Sequence, residues 1–143
     1  MSDLNNVKVI LFDLDGTLID SVPQLYLAVQ AALRTNQLSA VSMEQVRDWI
    51  GNGADVLLKR AICQKYHFTD IDEALFQQVK NQFDHYYQKG IDSDYSLYPA
   101  VKETLSVLAQ AGYSMAVVTN KPDQFVQPLL QSAGIAEFFT YTL

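Results

Sequence analysis

Residues 7–18 read VKVILFDLDGTL, and this stretch limits the fold more than any other. Val7 to Phe12 form an apolar, β-branched-rich run broken only by Lys8. Such a run predicts a strand of a parallel sheet buried on both faces, since a strand with one wet face would alternate. The run empties into Asp13-Leu14-Asp15-Gly16-Thr17. Along an extended chain, residues i and i+2 point to the same side, so both carboxylates can project into one site beyond the strand. Gly16 lets the chain turn sharply there. Open α/β sheets bind ligands in this place, outside the carboxyl ends of their strands.

Two neighbouring carboxylates repel, and keeping both ionised calls for a counter-charge. A hard divalent cation such as Mg²⁺ supplies one, held by one or two carboxylates together with substrate phosphate oxygens. If Asp13 attacks phosphorus, an aspartyl-phosphate forms and one hard displacement becomes two easier ones. Asp15 is then placed to protonate the departing oxygen and later to activate water. The competing reading is a plain Asp-Gly turn after a strand. Clustered charge at the end of a buried strand is a costly way to make a turn, which favours the chemical reading.

Asp13-Leu14-Asp15-Gly16-Thr17-Leu18 resembles the first motif of the haloacid dehalogenase-like (HAD) superfamily of hydrolases. The resemblance implies Asp13 as nucleophile and Mg²⁺ ligand. It implies Asp15 as acid/base, with its main-chain carbonyl also on the metal. The dehalogenases of that superfamily lack the second Asp, so Asp15 points to phosphoryl transfer.

The 143 residues suit one domain of ordinary size, and 49% hydrophobic content can fill its core. Ten basic against sixteen acidic residues give a net charge of −6, without a basic cluster, which argues against nucleic acid as partner. No apolar run approaches a membrane span, and the N-terminal MSDLNN lacks a signal pattern. Cys63 stands alone, so no disulfide framework is expected and a cytoplasmic location is. Its helical apolar setting predicts a buried, inert thiol.

After Leu18 the period changes from that of a strand to that of a helix. Asp20-Ser21-Val22-Pro23 reads as a helix start with cap-type side chains, and Val22, Leu25, Tyr26, Val29, Ala32 and Leu33 recur at helical spacing. Ser42 with Gln45, and Asp70 with Glu73, form capping-box signatures for two further helices. Gly51-Asn52-Gly53 separates the helix after Ser42 from another over residues 54–66. The α/β rhythm then returns, with a helix over 100–111, a strand over 113–118, a helix from Pro122 carrying Pro128 inside it, and an edge-like strand within 135–143. The expected architecture is therefore a doubly wound, Rossmann-like parallel α/β sheet, residues 1–19 and 92–143, with a four-helix insertion over 20–91.

Thr119 and Asn120 close the second strand as Asp13 closes the first, and parallel neighbours would bring both ends to one pocket. A hydroxyl and main-chain N–H groups at a strand-to-helix turn suit phosphate, helped by the helix dipole. A plain helix cap is the competing reading. The HAD resemblance implies that Thr119 binds the transferring phosphoryl group, with Asn120 and Lys121 beside it. Gly51-Asn52-Gly53 is either a hinge between helices or a flexible loop that dips over the active site. Trp49-Ile50-Gly51-Asn52-Gly53-Ala54-Asp55 with Arg60-Ala61, and Val118-Thr119-Asn120-Lys121-Pro122 with Pro128-Leu129-Leu130, resemble segments of the phosphoglycolate phosphatase group. That implies a mobile helical cap over the site, with 2-phosphoglycolate as substrate. Arg47, Arg60 and, less so, Lys59 are the cap cations able to pair with a substrate carboxylate. His67 and His85 lack partners at metal-ligand spacing and read as ordinary surface or boundary residues.

Family members also carry a Lys after the third strand and an acidic pair after the fourth, and neither is matched here. The expectation is a core incomplete at its C-terminal side, one edge of the first strand left open, and possible self-association through that edge. The activity the resemblance implies is Mg²⁺-dependent hydrolysis of a small phosphate monoester, while the 143 residues by themselves, lacking that Lys and acidic pair, are expected to have little or no activity. The rival readings are a sugar-phosphate mutase of the same superfamily and a non-catalytic phospho-acceptor or binding fragment.

Overall fold

The computed structural model describes residues 6–143. The first five residues, part of the MSDLNN stretch and of the expected 1–19 segment, lie outside the described residues. Strand β1 (Val9–Phe12) is followed by a short β2 (Ile19–Asp20) and then by helices α1 (Val22–Thr35), α2 (Met43–Trp49), α3 (Ala54–Cys63) and α4 (Glu73–Lys89). The chain returns through β3 (Ser96–Leu97), α5 (Val101–Gln110), β4 (Ser114–Val117), α6 (Asp123–Ser132), a 3₁₀ turn at Ala136–Phe138 and β5 (Tyr141–Thr142).

The main sheet runs β1-β4-β5, with both pairings parallel. In register, Leu11 faces Ala116, which faces Tyr141, while Phe12 faces Val117, which faces Thr142. One face carries Ile10, Phe12, Met115 and Val117, packed against Leu105 of α5 and Val126, Leu129 and Leu130 of α6. The other face carries Val9 and Leu11, which are 53% and 63% exposed. Burial of β1 on both faces, as its apolar run predicts, is thus not what the structure shows. Both crossovers step in one direction across the sheet, so right-handed connections lay α5 and α6 on the same side. Among the described residues nothing pairs with the outer edge of β1.

Between β2 and β3 lies the helical insertion. These two short strands pair antiparallel, Ile19 with Leu97 and Asp20 with Ser96, so the outgoing and returning chain are stitched together at its base. Gln24 of α1 reinforces the seam: its amide nitrogen lies 3.0, 2.8 and 3.1 Å from the carbonyls of Gly90, Ile91 and Ser93. The four helices bury one apolar cluster, including Val29, Leu33, Val46, Leu58, Val79 and Phe83, and Phe125 of α6 enters it from the sheet side. Removing that ring by Phe125→Ala costs about 3–5 kcal/mol on the usual scale for buried aromatics.

Local starts and stops follow their chemistry with two exceptions. The Ser42 box is complete, Gln45 N–H donating to Ser42 Oγ at 3.1 Å and Ser42 N–H to Gln45 Oε1 at 2.8 Å. The Asp70–Glu73 box is not formed; Asp72 caps α4 by accepting from Leu75 N–H at 2.9 Å. Asp72 stands at the N-cap position itself, where its carboxylate meets the third amide of the helix, a geometry Asp70 would reach only with an earlier start. Ser21 stands at the N-cap of α1 but makes no side-chain cap bond. Pro128 lies inside a continuous α6, and Cys63 is only partly buried.

Candidate active site

The site begins where β1 stops. Leu14 is fully buried, and its carbonyl accepts from the N–H groups of Thr17, Leu18 and Ile19 at 3.2, 3.0 and 3.2 Å. Anchoring Leu14 in the core turns its neighbours Asp13 and Asp15 to the opposite side, as the i, i+2 alternation predicts. Gly16 closes the turn at φ +81°, a conformation that favours glycine. Oδ1 of Asp13 accepts from Leu14 N–H at 2.7 Å.

The neighbouring strand end supplies the second group. Val118 N–H donates to Phe12 carbonyl at 2.8 Å, so the β1–β4 ladder continues to the last residue before the site. Thr119, Asn120 and Lys121 therefore line one cleft with Asp13 and Asp15. Two amides expected to face phosphate are otherwise engaged: Thr119 N–H donates to the Leu143 carbonyl at 2.8 Å, and Lys121 N–H to Thr119 Oγ1 at 3.1 Å. The Thr119 hydroxyl proton remains available as a donor.

Lys121 is nearly fully buried, and its Nζ lies 3.1 Å from Oδ1 of Asp15. The same oxygen accepts from the Ser21 hydroxyl, which is wholly buried. The acid/base candidate is thus held by two donors, one of them cationic. Burial pulls the Lys121 ammonium below the usual lysine value, against the Asp15 carboxylate, which acts upward. The ammonium also lies 4.7 Å from the ring centroid of Tyr87. Burial, and secondarily the Asp15 charge, push the Tyr87 phenol well above its ordinary value.

The insertion forms the roof. Gly51 and Gly53 line the cleft, with Ile50, Leu57 and Phe83 supplying apolar wall. Asn120 Nδ2 donates to the Gly51 carbonyl at 2.9 Å, joining the strand-end loop to the roof across 69 positions of sequence. Gly53 has φ +89°, and a Cβ there would lie 3.2 Å from the Asn120 carbonyl, so this close approach also requires glycine.

The structure does not bring the cap cations to the cleft. Arg60 is buried; its Nε donates to Tyr66 carbonyl at 2.9 Å, and Nη1 donates to Trp49 carbonyl at 2.8 Å and Asn52 Oδ1 at 3.1 Å. Its guanidinium carbon lies 3.8 Å from the Tyr66 ring centroid. Arg60 and Asn52 therefore brace the glycine loop from behind. Arg47 lies 3.6 Å from Asp20 Oδ2 at the half-exposed surface, and Lys59 lies over the rings of Phe76 and Phe68. Ser21 and Tyr87 escape sequence reasoning, because one reads as a helix cap and the other as part of an apolar stripe.

About 500 Å³ of non-atom space lies in and over the cleft, the open solvent at its mouth included. Its acidic floor, hydroxyl, amide and buried ammonium can orient an anion and move a proton at one carboxylate.

Comparison with known proteins bears on this arrangement. The chain is 48% identical over 139 residues to the phosphoglycolate phosphatase of Vibrio parahaemolyticus serotype O3:K6, covering 96% of this chain and 61% of that one. Against the phosphoglycolate phosphatase of Photobacterium profundum the identity is 46% over 140 residues, covering 97% and 61%. The chain thus spans about three fifths of the length of these relatives. A solved structure of a predicted phosphoglycolate phosphatase from Haemophilus somnus 129PT superposes with a TM-score of 0.89 at 44% identity, covering 99% of this chain and 64% of that one. CbbY from Rhodobacter sphaeroides in complex with phosphate shares the fold, with a TM-score of 0.77 at 18% identity. Residues 10–143 match the sequence model of haloacid dehalogenase-like hydrolases, and with relatives this similar the chain belongs to that family.

Proposed function

We propose that this chain carries the nucleophile, the acid/base and the phosphate loop of a Mg²⁺-dependent phosphatase acting on a small phosphate monoester, 2-phosphoglycolate by analogy with its relatives. One observation carries the reading: Asp13, Asp15, Thr119 and Lys121 converge on one roofed cleft from the ends of two adjacent parallel strands. In the first step an Asp13 oxygen bonds to phosphorus as the ester P–O bond breaks, and Asp15 gives the departing oxygen its proton. In the second, Asp15 takes a proton from water as that water displaces Asp13 and releases phosphate. Thr119 donates its hydroxyl hydrogen to a phosphoryl oxygen. Asn120 holds the glycine loop over the site, and the apolar wall limits water.

The donor chemistry fits a hard cation. Asp13 is exposed to the cleft, while Asp15 Oδ1 is engaged by Lys121 and Ser21. Asp13 and the Asp15 main chain would hold Mg²⁺, completed by substrate oxygens and water. Among the described residues no cluster of three or more His, Cys, Asp or Glu forms a metal site, so these two positions supply only part of the shell. When bound, the ion supplies neutralisation of the phosphoryl charge.

The test is hydrolysis of 2-phosphoglycolate by the wild-type chain and by Asp13→Asn, with acid quenching to trap phosphorylated protein. Turnover and label that both vanish in Asp13→Asn support the reading. Phosphate release by that variant near the wild-type rate overturns it. Transfer of phosphate between positions of a sugar phosphate, without net release, would favour the mutase reading.

A further inference from the structure

We infer that Ser21 is a positioning residue whose hydroxyl aligns Asp15 for proton transfer to the leaving group; this rests on the phosphatase reading above. Ser21 is not among the residues lining the cleft, so it acts through Asp15. It stands at the N-cap of α1, where a serine ordinarily accepts from an amide of the first turn, yet it makes no such bond. The helix start asks little of it. Pro23 has no N–H to offer, and Val22 N–H meets Asp20 Oδ1 at 3.3 Å. The Ser21 main chain still opens the helix, its carbonyl accepting from Leu25 N–H at 2.9 Å. The side chain alone is turned away, and its hydroxyl donates to Asp15 Oδ1.

Ser21 is wholly buried, so water does not compete for that hydroxyl. Lys121 Nζ reaches the same oxygen at 3.1 Å, from the loop between β4 and α6. The two donors differ in what they fix. An ammonium on a flexible stem is a point charge, which attracts a carboxylate without setting its rotation. A hydroxyl held on the first residue before a helix gives a directional bond and sets the carboxylate plane. With both donors on Oδ1, Oδ2 is the oxygen left to carry the reacting proton. As the ester P–O bond breaks, that proton passes from Asp15 Oδ2 to the departing oxygen. Rates of such transfers depend steeply on alignment. The helical insertion thus reaches the chemistry through the residue that begins it, while its other contacts with the cleft are apolar side chains and glycine main chain.

Wild type and Ser21→Ala are to be compared on 2-phosphoglycolate and acetyl phosphate, two small phosphoryl donors with opposite needs. The alkoxide of glycolate must be protonated as it leaves, whereas acetate is an ordinary carboxylate and leaves without a proton. The inference expects kcat/KM for 2-phosphoglycolate to fall about tenfold in Ser21→Ala, part of what general acid help is worth. For acetyl phosphate it should change less than about twofold, because no proton is transferred there. An equal fall on both donors, with or without a lower urea midpoint, shows a merely structural hydroxyl and overturns the inference. So does an unchanged kcat/KM for 2-phosphoglycolate, which leaves the phosphatase reading standing. A wild type active on acetyl phosphate alone lacks acid catalysis, which overturns the inference and spares Asp13 as nucleophile. A wild type that releases phosphate from neither donor fails both the reading and the inference.

Discussion

Lys121 and Asp15 form an ion pair at 3.1 Å across two strand ends, with the lysine side chain 3% exposed and the carboxylate 16%. A buried cation of this kind is tolerated because its partner is close and because Ser21 satisfies the same carboxylate oxygen. The pair ties the β4–α6 loop to the Asp15 turn, so Lys121 orients the carboxylate proposed above as acid/base.

Lys121→Met is therefore expected to destabilise the chain by about 3 kcal/mol, the lower end for breaking a buried pair, because Asp15 keeps some contact with water. Urea denaturation at neutral pH measures it. A change under about 0.5 kcal/mol, the range of ordinary surface substitutions, would show that the pair is not maintained in solution.

Tyr87 gives a pH signature. Its folded-state value lies well above the ordinary phenol value of 10.0, owing first to burial and then to the Asp15 charge. Above pH 10 the unfolded phenol loses its proton while the folded one keeps it, so the unfolded state binds fewer protons and stability falls with rising pH. Below pH 10 this contribution is fully present. The difference in stability between wild type and Tyr87→Phe should be flat from pH 7 to 9.5 and turn against wild type from pH 10 upward. Urea midpoints across that range check it, and the other tyrosines cancel in the difference.

The Asp13–Asp15 turn and the Thr119 strand end were legible because each is local: an apolar run, its end, and a residue type that cannot sit there idly. Their convergence followed from the parallel sheet alone. Arg60 was not legible, because its burial depends on Tyr66 folding back over α3, and a basic residue on a helix carries no mark of that. Ser21 at a helix start has the sequence signature of a cap whether its hydroxyl turns to the helix or to Asp15. The one-sided sheet was equally hidden, since an apolar strand reads as buried on both faces whichever helices actually reach it.

The glycine loop divides into two different requirements. Gly51 has φ +111° with open space where a Cβ would go, whereas Gly53 has φ +89° and a carbonyl at 3.2 Å. Both positions strain an alanine backbone, by about 1–3 kcal/mol each. Only Gly53→Ala must also push against the Asn120 main chain. Gly53→Ala should therefore cost more stability than Gly51→Ala, measured by thermal or urea unfolding. Equal costs would mean that the Asn120 loop moves away freely.

The exposed face of β1 carries the last consequence. Val9 and Leu11 present neighbouring apolar side chains to solvent, and the outer edge of β1 is unpaired among the described residues. Contiguous apolar surface next to unpaired strand N–H and C=O groups promotes association between chains. The chain studied by itself should show an average mass that rises with concentration. Leu11→Lys places a charge on that face and on the edge strand while removing little buried contact, since the side chain is 63% exposed. Stability should stay within about 0.5 kcal/mol. Sedimentation velocity over a hundredfold concentration range checks the rest: the variant should remain monomeric where wild type self-associates. Association that persists unchanged in Leu11→Lys would place the contact elsewhere, because a lysine on every copy of this face would set like charges against each other in an apolar contact.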